Sequence, residues 1–118
     1  FFSTEEMTPA PGQGALAVQI RTDDDWIKEL ITEVNHYETA AAVAAERAFL
    51  GRLGGGCMLP IGAYAHPKGE TLVLEVIVFN STGDEEYLGK VSGPIDKPDL
   101  LGLELAENLL SKGVSDIL

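Results

Sequence analysis

Residues 61–92 read IGAYAHPKGETLVLEVIVFNSTGDEEYLGKVS, and this stretch decides the fold. Within Thr71 to Phe79, Leu72, Leu74, Val76 and Val78 point one way, while Val73, Glu75, Ile77 and Phe79 point the other. That is the period of two of a strand, carried by β-branched residues. Pro67-Lys68-Gly69-Glu70 before it and Asn80-Ser81-Thr82-Gly83-Asp84 after it have the composition of turns. Strands are therefore expected at 61–66, 71–79 and 86–92. Connections this short force antiparallel pairing.

Upstream, an alanine-rich segment from Tyr37 to Leu53 reads as a helix, because alanine loses least on entering one. Val43, Leu50 and Leu53, with alanines alongside, make its expected buried stripe, and Gly54-Gly55-Gly56 stops it. Before that, Asp23-Asp24-Asp25 precedes Ile27, Leu30, Ile31 and Val34, an amphipathic spacing with an acidic cap. Asn35-His36 ends this helix. Ala15 to Ile20 is apolar and follows a loop containing Pro9, Pro11, Gly12 and Gly14, so it reads as a short strand. Downstream, a helix should begin near Asp96 or Lys97 with Pro98 in its first turn, bury Leu101, Leu105 and Leu109, and stop at Gly113. Val114 to Leu118 reads as an extended tail. The fold class is α+β, a three-stranded antiparallel sheet covered by helices. Residues 1–22, with the strand 15–20, are expected to belong to a neighbouring domain of a longer parent. Residues 23–36 form a connecting helix, and 37–118 form the domain proper.

The chain has 118 residues, 45% of them hydrophobic, at a mean hydropathy of +0.08. No run of 18 apolar residues exists and the first residues carry no basic segment, so neither a membrane-spanning helix nor a signal peptide is read. Position 1 is Phe1 rather than Met, and the chain reads as a piece of something longer. A net charge of −11 argues against nucleic acid and anionic membranes as partners. The single cysteine cannot close an internal disulfide, which suits a reducing cytoplasm. It also removes thiolate zinc clusters, and two histidines thirty residues apart make a poor metal site, so no metal is expected.

Few residues could carry chemistry. Cys57 follows three glycines and precedes Met58-Leu59-Pro60, which puts one thiol on a loop between a helix and a strand. On composition alone a small buried hydrophobe is the commoner fate of such a cysteine. Gln13 lies between Gly12 and Gly14, where the backbone can approach a ligand, though a plain turn fits equally. Arg21 faces the three aspartates and is either a local surface pair or a carboxylate clamp. His36 and His66 are read as structural, and Glu46-Arg47 as a solvated or interdomain pair. Two further readings remain at this level: a non-catalytic binding module with a structural glycine-cysteine loop, and a thiol enzyme with Cys57 activated by His36.

Several stretches together resemble the porphobilinogen deaminase (hydroxymethylbilane synthase) family. They are Pro11-Gly12-Gln13-Gly14-Ala15-Leu16-Ala17, Arg21-Thr22-Asp23-Asp24, Asn35-His36-Tyr37-Glu38-Thr39, Ala45-Glu46-Arg47-Ala48-Phe49-Leu50 and the run from Leu53-Gly54-Gly55-Gly56-Cys57-Met58-Leu59-Pro60 to Ala65, with the last helix and tail. The glycine-cysteine-proline run is the most specific; strands 71–92 match in pattern only. The resemblance implies a three-domain monomeric transferase that joins four porphobilinogen units into a linear tetrapyrrole for heme biosynthesis. It implies that Cys57 is thioether-linked to a dipyrromethane cofactor, and that Gln13, Gly14, Arg21 and Gly56 lie along that cofactor, Arg21 on one of its carboxylates. It also implies that the catalytic aspartate and most of a cationic cleft lie upstream of Phe1, in domains this chain would need as partners. The isolated chain is then expected to be inactive, with Cys57 a free thiol on a partly exposed loop.

Overall fold

A computed structural model describes residues 1–55 and 58–118; Gly56 and Cys57 lie outside the described residues. Three strands form one antiparallel sheet in the order β1-β2-β3: β1 Ile61–Lys68, β2 Thr71–Phe79 and β3 Glu86–Pro94. β2 begins and ends where its alternation predicts. β1 and β3 each run two residues past expectation, because the ladder continues through Lys68↔Thr71 and Thr71↔Pro94 up to the turn. Leu72, Leu74, Val76 and Val78 point into the core under two helices. On the other face of the sheet the cross-strand partners Glu75 and Lys90 form an ion pair.

α1 (Asp25–Thr32) starts on Asp24, whose Oδ1 accepts the amide of Ile27 at 3.0 Å. α2 (Tyr37–Arg52) and α3 (Pro98–Ser111) cross each other on the core face of the sheet. Leu101, Leu105 and Leu109 of α3 are buried, as their spacing predicts, and Gly113 (φ +94°) follows the helix end. The stripe on α2 differs from expectation. Ala41, Ala42, Ala45, Glu46 and Phe49 are buried, whereas Val43, Leu50 and Leu53 sit half-buried on its flanks. The reason is how closely the helices approach. A Cβ at Gly102 would stand 2.8 Å from both the Ala48 Cβ and the Phe49 nitrogen, so α3 rests nearly on the α2 backbone. Only small side chains fit such a crossing, and burial follows the alanines. Phe49, Leu72, Leu74 and Leu109 are fully enclosed, each stabilising by roughly 1.5–3 kcal/mol through burial.

Outside this body the segment 15–20 has no partner strand among the described residues, and the tail departs from expectation. Leu16 and Val18 are 99% and 61% exposed. A single segment has no ladder without a partner strand, whatever its composition. The tail is not extended: Val114–Asp116 forms a 3₁₀ turn that places Val114 in the core. No described helix is long and apolar enough to cross a membrane.

Candidate functional site

An open cleft of about 540 Å³ lies beside the N-terminal segment. Residues 9–15, the first half of α2 and the second half of β1 enclose it, with Gln13, Gly14, His36, Glu46, Tyr64 and His66 among its walls. The N-terminal segment reaches it by running along the open edge of β1. The Pro9 carbonyl accepts the Ala63 amide at 2.8 Å, as a neighbouring strand would. The chain then turns, with the Gln13 amide donating to the Ala10 carbonyl at 3.0 Å and Gly12 and Gly14 at φ +73° and +80°. Side chains with a Cβ rarely adopt that conformation, so both glycines are needed for Gln13 to stand where it does. Gln13 folds its side chain back, Oε1 accepting the Ala10 amide at 3.3 Å.

Glu46 lies at the floor of the cleft and is 6% exposed. This corrects its expected place in a solvated or interdomain pair: Arg47 is exposed, but Glu46 turns inward. Its Oε2 accepts the Gly12 amide at 2.6 Å and its Oε1 the Ala65 amide at 2.8 Å. Burial pushes its carboxyl above the usual carboxylate range, and the N–H groups of Ala65 and Gly12 pull it back in part. The signal was present in the sequence. Glu46 follows Ala45 and lies four residues after Ala42, so it continues an alanine stripe on one helix face.

The histidines take structural positions. His36 is the N-cap of α2; its Nδ1 accepts the Thr39 amide at 3.3 Å and lies 2.8 Å from the Thr39 hydroxyl. His66 stacks on Tyr64 with ring centroids 5.3 Å apart. No metal-binding cluster occurs among the described residues.

The predicted site residues do not all converge. Gln13 and Gly14 reach the cleft, whereas Arg21 is exposed outside it. The local pair of Arg21 with its aspartates does not form among the described residues; the Arg21 backbone carbonyl instead accepts the Asp24 amide at 3.3 Å. Gly56 and Cys57 lie outside the described residues. The described residues that follow them enter β1 at Ile61, while the cleft meets β1 at Tyr64–Pro67, about 10–20 Å further along at the usual rise per residue. His36 is more distant still. It caps the start of α2, about 24 Å of helix from the turn at Leu53, and its Nδ1 is already engaged. The thiol-enzyme reading that pairs Cys57 with His36 therefore has no support in this geometry. Among the described flanks of Cys57, Met58 is 93% exposed and Gly54 and Pro60 are exposed, whereas Gly55 and Leu59 are half-buried, Leu59 against the core.

Comparison with known proteins bears on the same segments. The family described as "Porphobilinogen deaminase, C-terminal domain" matches residues 40–111. A porphobilinogen deaminase from Carboxydothermus hydrogenoformans is 46% identical over 110 residues, which cover 93% of this chain and 35% of that protein. The chain thus spans about a third of the length of the curated relative it matches.

Proposed function

The chain belongs to the porphobilinogen deaminase family, and from that premise we propose that it is the part of such an enzyme that anchors a dipyrromethane cofactor through the thiol of Cys57. The observation that carries this reading is the similarity itself. It runs through the glycine-rich loop that holds the chain's one cysteine, at 46% identity. Of the described flanks, Gly54, Met58 and Pro60 are exposed, while Gly55 rests on Leu50 and Leu59 packs against the core, so the loop is anchored at both ends and open to solvent at Met58. When bound, the dipyrromethane supplies the pyrrole end to which further porphobilinogen units are joined.

The residues of this chain then have distinct tasks. Cys57 would hold the group: its thiolate would take the aminomethyl carbon of a porphobilinogen unit as ammonia leaves, and the resulting thioether would keep the growing product covalently attached. Gly56, next to Cys57 in the sequence, has no side chain to stand against the adduct. Arg21, whose side chain is exposed and uncommitted to its neighbouring aspartates, receives a carboxylate of the cofactor through its guanidinium fork. Gln13 and Gly14 present amide and backbone groups from the turn. The strand 15–20 completes a sheet in another domain of the enzyme, and the catalytic carboxylate and the cations for the remaining acidic side chains come from domains outside these residues. The net charge of −11 supports that division of labour. The enzyme is then a cytoplasmic monomer, and the present chain alone does not turn over porphobilinogen.

Turnover tests the reading. In the enzyme containing these residues, Cys57→Ala and Cys57→Ser should both abolish tetrapyrrole formation, because a serine hydroxyl is far less nucleophilic than a thiolate. Wild-type turnover by Cys57→Ala would overturn the proposed anchor and favour a loop that is only structural.

A further inference from the structure

The buried carboxylate of Glu46 has no task in the reading above. We propose that Glu46 is a positioning residue that clasps the Pro9–Gly14 turn to the open edge of β1, and so sets where Gln13 and Gly14 stand on the cleft. The argument rests on contacts within this chain and does not depend on the cofactor chemistry.

β1 is an edge strand, and the amides of Ala63 and Ala65 point away from β2. Such donors require partners once they are covered. The Ala63 amide takes the Pro9 carbonyl. The next donor on that edge, Ala65, finds no strand, because the segment has already turned at Ala10–Gln13. Glu46 reaches across from α2 and supplies the missing acceptor with Oε1. Its second oxygen takes the Gly12 amide, which the same turn aims inward. One carboxylate thus serves as a strand partner for β1 and as an anchor for the turn, and it joins three elements at one point. Both oxygens must be acceptors. A glutamine has the same length and nearly the same volume, but its amide nitrogen would oppose one of the two N–H donors. An alanine leaves both donors unpartnered.

That distinction separates positioning from packing, since a packing role would be rescued by glutamine. The test is amide hydrogen exchange, read by NMR on the 118-residue chain, with Val76 of the central strand as internal reference. In Glu46→Gln, at least one of the Gly12 and Ala65 amides should exchange about tenfold or more faster relative to Val76. In Glu46→Ala both should, and Ala63 should follow as the segment lifts. If Glu46→Ala does not fold, Glu46→Gln alone decides. Unchanged exchange of Gly12 and Ala65 in Glu46→Gln, or acceleration only in proportion to Val76, overturns the proposal.

Discussion

An ionisable side chain on a buried helix stripe makes stability depend on pH, and Glu46 is that case here. Its folded carboxyl titrates above the ordinary range because desolvation disfavours the charge more than the Ala65 and Gly12 amides favour it. A group whose folded pKa is raised favours the folded state most when it is protonated. Its contribution is fully present below the unfolded carboxylate value and is lost as pH rises through the folded one. Wild-type stability should therefore fall relative to Glu46→Gln as pH rises above the ordinary carboxylate value of about 4. Urea denaturation of both proteins at several pH values checks this; parallel pH profiles would show that Glu46 does not carry the dependence. Glu6 shifts the other way, held below the usual carboxylate range by the backbone amide and hydroxyl of Ser3 at the exposed N-terminus.

Between elements, the α2–α3 crossing is the least forgiving contact. A methyl group at Gly102 would meet the Ala48 side chain and the α2 backbone, which cannot move aside as a flexible side chain would. Gly102→Ala should cost about 1–3 kcal/mol by overpacking, in spite of alanine's better helix propensity. Phe49→Ala, which empties a fully buried site between helix and sheet, should cost about 3–5 kcal/mol, a large share of a small domain's stability. Denaturant midpoints measure both, and a stabilised Gly102→Ala would mean the crossing is looser than described. The sheet was legible in the sequence because alternation and turn chemistry are local signals. The α2 stripe was not, because Val43 and Leu50 outweigh alanine on any hydropathy reading, and only the close crossing shows that small size is what α2 needs there. The segment 15–20 forms no ladder here for a related reason: composition gives a strand's preference, while its ladder depends on a partner. Amides of 15–20 should accordingly exchange at rates near those of an unstructured chain, while those of β2 stay protected. Protection of 15–20 comparable to β2 would contradict the unpaired state.

The whole molecule has a radius of gyration of 15.3 Å, against about 13.5 Å for a compact domain of this length. The excess fits residues 1–36, where Leu16, Val18, Trp26 and Leu30 are exposed and α1 buries no side chain. Residues 37–118 contain the sheet and both covering helices. Of the proposed site, Gln13 and Gly14 were legible from their glycine setting and do reach the cleft. Arg21 stands apart from it, since the carboxylate it is proposed to hold is not part of this chain. Cys57 was legible only through its family context, because a lone thiol among glycines has no period or spacing that names a ligand. The central claim is that this thiol carries the cofactor, and intact mass measures it directly. The enzyme containing these residues, purified from cells that make porphobilinogen, should be heavier than its sequence by a dipyrromethane unit. The Cys57→Ala variant should match its sequence mass. A wild-type enzyme that is active at its bare sequence mass, or a Cys57→Ala variant that keeps the added mass, would contradict the account.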